Sequence, residues 1–121
     1  MATKALTRET FDEAVGGGDL VLIDFWASWC GPCRSFAPVY ERVSERHPDA
    51  LFAKVDTEAE PDLAGAFQIS SIPTLMIVRD KVVLYSQPGA LPEDALEDLI
   101  TQARALDMDE VRREAETAPT S

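Results

Sequence analysis

The chain is short of several things at once. Of its 121 residues two are cysteine and one is histidine, and Lys and Arg number 11 against 22 Asp and Glu, a net charge of −11. With no basic tract to offset that charge locally, non-specific binding to nucleic acid or to an anionic membrane surface is excluded. Long apolar runs are missing too. The longest, residues 20–23 and 75–78, fall far below the roughly 20 residues that span a bilayer, so no transmembrane helix is expected. The opening MATKALTRE has no long apolar core and does not read as a secretory signal. The two cysteines, Cys30 and Cys33, can bridge only each other. A loop that small adds little to fold stability, which excludes a disulfide-stapled scaffold.

What is present suits one ordinary domain. Hydrophobic residues make up 45% of the chain, charge is spread along it, and its length matches a single compact unit. Thr7 is expected to cap a helix with Phe11, Ala14 and Val15 on one face, ended by a linker at Gly16-Gly17-Gly18-Asp19. Those glycines lack the Gly-Lys-Ser/Thr that a phosphate-binding loop needs. Residues 20–27 (LVLIDFWA) are apolar at alternating and intervening positions, the pattern of a central strand covered on both sides. Phe36, Val39, Tyr40 and Val43 then recur at helical spacing, with Pro38 predicting a kink and His47-Pro48 the end.

Residues 51–55 read as the next strand, and Leu63, Ala66 and Phe67 as a short helix opened by Pro61. Residues 74–78 and 82–85 form an expected antiparallel hairpin around Arg79-Asp80-Lys81. The last long helix starts at Pro92 with Glu93, Asp94, Glu97 and Asp98 early and Arg104 late, an order that complements the helix dipole. Its apolar stripe is Leu96, Leu99, Ile100, Ala103 and Leu106. The order is helix, strand, helix, strand, helix, hairpin, helix. A parallel βαβ crossover followed by an antiparallel hairpin gives an α/β fold, a mixed central β-sheet flanked by helices on both faces. Residues 1–107 are expected to form the domain. Residues 108–121 are read as a short extension, a frayed helix around Met108, Val111 and Ala115 with a disordered end at 117–121.

The chemistry concentrates at Trp29-Cys30-Gly31-Pro32-Cys33. Two cysteines three residues apart on a helical turn come within disulfide reach. The first sits where unpaired N–H groups and the helix dipole favour a thiolate, and Arg34 adds positive charge nearby. Cys33, one turn in, is expected to be the more buried and less reactive thiol. Three readings stand side by side: a redox pair, half of a zinc site for which only His47 supplies a further soft ligand, and an inert structural pair. Asp24 lies within the apolar strand, where burial would raise its pKa towards neutrality and fit it to move protons; the alternative is that it faces a wet edge. Lys54, unaided, is an ordinary strand lysine.

The segment from Asp24 to Cys33 (DFWASWCGPC) resembles the active-site segment of the thioredoxin family. Ser71-Ile72-Pro73-Thr74 resembles its cis-proline loop and Pro88-Gly89-Ala90 its glycine loop, all in order within residues 4–106. The resemblance implies the thioredoxin fold and a thiol–disulfide oxidoreductase that reduces protein disulfides. Cys30 would be the nucleophile, Cys33 the resolving thiol, Asp24 the proton acceptor and Lys54 its partner. Trp29, Gly31, Pro32, Ile72, Pro73, Gly89 and Ala90 would form the substrate surface, the Ile72–Pro73 bond would be cis, and Trp26 would pack in the core near the site. It further implies a cytoplasmic monomer with no bound cofactor or metal. Electrons would come from NADPH through a flavin-containing thioredoxin reductase, and disulfide-bearing proteins would be the substrates. Thr57, where the family often has an apolar residue, and Pro88 before the glycine depart from the pattern and bear on partner preference. A dedicated donor to one peroxidase or methionine sulfoxide reductase, and a binding subunit with dispensable cysteines, are the competing functions.

Overall fold

Strand β2 (Leu20–Trp26) is buried along nearly its whole length because both its faces are apolar, and the architecture is built outwards from it. The computed structural model describes residues 3–17 and 19–117 of the chain. In chain order these form β1 (Thr3–Ala5), α1 (Arg8–Gly16), β2, α2 (Gly31–Glu45), β3 (Leu51–Asp56) and α3 (Pro61–Ala66). There follow β4 (Thr74–Arg79), β5 (Val82–Pro88), α4 (Glu93–Ala105) and α5 (Met108–Thr117). One five-stranded sheet has the order β1-β3-β2-β4-β5, with β1, β3 and β2 parallel and β4 and β5 antiparallel.

Alternation along β2 divides the core in two. Leu20 and Leu22 meet Phe36, Tyr40 and Val43 of α2 and Leu96, Ile100 and Ala103 of α4. Val21, Ile23 and Phe25 meet Phe11 of α1 and Leu63 of α3. Helices therefore cover both faces, as expected. Tyr40 is fully buried, and its hydroxyl donates to the Ala53 carbonyl at 2.8 Å, so its polar tip is satisfied.

Several local expectations need correction. Strand β1 was not expected: it is three residues long, carries no alternating pattern, and exists by pairing with β3. Thr7 is the N-cap of α1, as expected: the Thr10 hydroxyl accepts the Thr7 backbone N–H at 2.9 Å, and the two hydroxyls meet at 3.2 Å. Gly18 of the expected linker lies outside the described residues. Ala66 is exposed on α3, and the apolar face there is made by Leu63 and Phe67. Helix α2 contains Pro38 and ends at Glu45, ahead of His47-Pro48 as expected. The early acidic residues of α4 do more than complement a dipole: Glu93 pairs with Arg42 and Arg46, and Glu97 with Arg46 and His47, all from the α2 side. Leu106 is 41% exposed rather than part of the buried stripe. Thr117 closes α5 instead of opening a disordered end, and 118–121 lie outside the described residues.

The hairpin turn is tighter than expected. Arg79 pairs with Val82, leaving Asp80 and Lys81 as a two-residue loop with φ of 52° and 67°. Both lie in the left-handed region that fits the strand twist but that Lys adopts at a cost. Lys81→Gly is therefore expected to raise stability by about 0.5–1 kcal/mol, the strain relieved exceeding the extra chain entropy lost. Urea unfolding of the two proteins checks this, and a less stable variant contradicts it.

Candidate active site

The cysteines lie where the central strand gives way to a helix. After β2 the backbone N–H of Cys30 donates to the Ala27 carbonyl at 3.2 Å, which turns the chain into α2 with Cys30 as its N-cap. Gly31 and Pro32 occupy the first turn, where a missing N–H leaves no intrahelical bond unmade. Cys30 and Cys33 form a disulfide with their Cα atoms 5.2 Å apart. The Cys33 N–H also points at the Cys30 sulfur, at 3.2 Å. Both are buried, 4% and 2% exposed, so the expected contrast in burial is slight. What separates them is the helix end, which only Cys30 occupies. The Arg34 guanidinium donates to the Ser28 carbonyl at 2.9 Å, tying the first turn to the loop before it.

Two distant segments close on this turn. The Ile72–Pro73 bond is cis, and the Ile72 carbonyl lies 3.7 Å from the Cys30 sulfur. Gly89, at φ 113°, donates its N–H to the Pro73 carbonyl at 2.8 Å, so the glycine loop is latched to the proline loop. That φ is open to glycine and strained for other residues. Pro73 is buried, Ile72 half-buried, and Gly31, Pro32, Gly89 and Ala90 are exposed. Trp29 is 65% exposed, and its indole N–H donates to Glu58 at 2.7 Å. Glu58 was not singled out in the sequence; it lies in the acidic loop that follows β3. Asp56 shapes that loop by accepting the Glu58 and Ala59 N–H groups. Thr57 turns its hydroxyl to the Trp26 carbonyl at 3.1 Å.

Beneath the helix turn, Asp24 is 0% exposed, and among the described residues no group donates to either of its oxygens. The wet-edge alternative is thereby excluded. Burial pushes its pKa up to about 7, against the opposing pull of Lys54, its register partner on β3. Asp24 in turn adds to the burial that pushes the Tyr40 hydroxyl well above its ordinary pKa. His47 lies at the far end of α2, about 20 Å along the helix from the cysteines, held between Glu97 and Arg104. Among the described residues no cluster of three or more His, Cys, Asp or Glu could hold a metal ion. A cavity of about 390 Å³ lined by Lys4, Thr10, Glu13 and Leu51 lies at the opposite end of the sheet and has no part in this chemistry.

Comparison with known proteins decides the family. The thioredoxin family model matches residues 2–102. The chain is 64% identical over 112 residues to putative thioredoxin 2 of Streptomyces coelicolor, covering 93% of this chain and 84% of that one.

The chain belongs to the thioredoxin family.

It is also 42% identical over 100 residues to the thioredoxin of Listeria monocytogenes, covering 82% of this chain and 96% of the relative. Among solved structures, a point-mutant thioredoxin of Halobacterium salinarum superposes with a TM-score of 0.79 at 35% identity, over 87% and 92% of the two chains. The fold is the thioredoxin fold, and the activity is that of a thiol–disulfide oxidoreductase working on protein disulfides through a CxxC pair. Thioredoxins carry no cofactor of their own and interact with thioredoxin reductase and with disulfide-bearing substrates. No helix among the described residues is long and apolar enough to cross a membrane.

The buried carboxyl makes stability depend on pH. Between about pH 4 and 7 the folded protein keeps a proton at Asp24 that the unfolded chain releases, so stability falls across that window and the loss is complete above it. In the oxidised protein, Asp24→Asn is expected to raise stability by roughly 3–4 kcal/mol at pH 8 and to change it little below pH 4. Urea melts at both pH values test this; an equal effect at each contradicts it.

Proposed function

We propose that in the reduced protein Cys30 attacks one sulfur of a substrate disulfide, forming a mixed disulfide and expelling the other substrate sulfur as a thiolate. Asp24 takes the proton from the Cys33 thiol, with Lys54 as the neighbouring cation. The Cys33 thiolate then attacks Cys30, breaking the mixed disulfide and releasing the second substrate thiolate. The product is the Cys30–Cys33 bridge. The observation that carries this reading is the setting of Cys30. It caps the N-terminus of a 15-residue helix, and the Cys33 N–H points at its sulfur at 3.2 Å, two features that favour a thiolate at that atom.

Substrate is held, on this reading, as a short added strand along Ile72, whose carbonyl lies beside the Cys30 sulfur, over a surface of Trp29, Gly31, Pro32, Pro73, Gly89 and Ala90. Glu58 keeps the Trp29 indole in place beside it. The Gly-Pro between the cysteines suits a reductant. NADPH, acting through a flavin-containing thioredoxin reductase, would return two electrons to the bridge, in the cytoplasm, with the protein acting as a monomer. The domain of 1–107 carries every residue of this scheme, and 108–121 is an extension outside it.

Cys33→Ser is expected to accumulate a stable mixed disulfide with a disulfide-bearing substrate, Cys30→Ser to form none, and the double variant to reduce nothing. Mass spectrometry after mixing with oxidised insulin reads all three, and trapping by Cys30→Ser would reverse the roles. The pair's potential against thiol buffers should fall near the roughly −270 mV general for thioredoxins rather than near the −120 mV of a disulfide-forming oxidant. Deletion of 108–121 should leave the rate of insulin reduction unchanged. It should lower stability by about 1.5–3 kcal/mol, because Met108 is 6% exposed and its burial is lost. A fall in rate would bring the extension into the mechanism.

A further inference from the structure

Lys54 does not lie where its charge alone would send it. It stands directly opposite Asp24 in the β2–β3 register, so the two side chains share a sheet face. A buried carboxylate without a donor is a strong attractor for an ammonium. Yet no ion pair joins them: the Lys54 Nζ lies over the ring of Trp26, 4.9 Å from its centroid. Trp26 follows Asp24 by two residues and therefore projects from that same face, at the rim where the strand ends. An indole face is the best of the aromatic seats for a cation. The four-carbon stem of lysine gives it the reach to choose between ring and carboxylate.

We propose that Trp26 is a positioning residue for the redox reaction: its ring seats the Lys54 ammonium and keeps it from closing a salt bridge on Asp24. Asp24 then stays protonable near neutrality and able to exchange a proton with Cys33. With the seat gone, lysine and carboxylate would pair and the carboxyl would stay ionised, without capacity to bind the thiol's proton. The inference rests on the proton-acceptor role of Asp24. The other groups facing Asp24 are few. From α2 come Tyr40 and, on the same helical stripe, Cys33; from β4 the paired residue is the apolar Leu75. Asp56, two residues beyond Lys54, is occupied by the Glu58 and Ala59 N–H groups.

The test follows the Asp24 carboxyl by its 13C chemical shift in the full-length oxidised protein, with the pH profile of insulin reduction measured beside it. Trp26→Leu is expected to lower the Asp24 midpoint by roughly 1–3 pH units, the effect of an opposite charge brought into contact. Trp26→Phe, which keeps a smaller ring and guards against misfolding, should lower it less. Lys54→Met should raise it, and adding Trp26→Leu to Lys54→Met should then produce no drop. A midpoint unmoved by Trp26→Leu overturns the proposal. So does a drop that persists without the lysine, since solvent entry would then be the cause. Failure of the underlying reading looks different: Asp24→Asn would leave the pH profile of reduction unchanged while the carboxyl shifts still responded to Trp26.

Discussion

Burying a carboxyl in the middle of a strand that is covered on both faces is the constraint around which the rest of this molecule is organised. Strand β2 has to be central because Leu20, Leu22, Val21, Ile23 and Phe25 must all leave water, and two layers of helix are the way to achieve that. Asp24 is carried into the same environment by its place in the strand. There it is both a destabilising element and the group whose proton affinity is brought near neutrality. Burial thus sets both its cost to stability and its proton affinity.

The reactive end of the molecule follows from the same strand. Because β2 ends at the rim of the sheet and α2 must return over the face that holds Leu20 and Leu22, the first turn of α2 comes to lie at that rim with Cys30 as its cap. The proline and glycine loops reach the rim from β4, which pairs with β2, and from β5, which pairs with β4, and the Gly89–Pro73 hydrogen bond holds them together. The backbone of Ile72 is left beside the sulfur. The site is assembled from three chain segments, each adjoining the end of an element fixed by core packing.

Much of this was legible from residue patterns. Segments with a strong period, such as 20–27, the stripe of α2 and that of α4 as far as Ala103, were read correctly because burial itself creates the period. The cysteine pair was legible because its spacing has chemical meaning, and the resemblance to thioredoxins supplied the cis bond. Strand β1 escaped because three residues carry no period and exist through a partner 49 positions away, Thr3 lying opposite Phe52. Glu58 escaped because an acidic loop gives no sign of which carboxylate will meet an indole. The pairs between α2 and α4 escaped for the same reason: Glu93 and Glu97 satisfy a dipole argument equally well with or without Arg42 and Arg46.

The sequence by itself determined the class of fold, the central strand, the redox pair and the presence of a carboxyl inside an apolar run, since each is a local pattern of polarity or spacing. Only the tertiary structure decided what surrounds those groups. It set Lys54 over Trp26 rather than on Asp24, Ile72 against the Cys30 sulfur, and His47 far from the cysteines. These outcomes turn on which side chains converge in space from different elements, and convergence is a property of packing that no run of neighbouring residues contains.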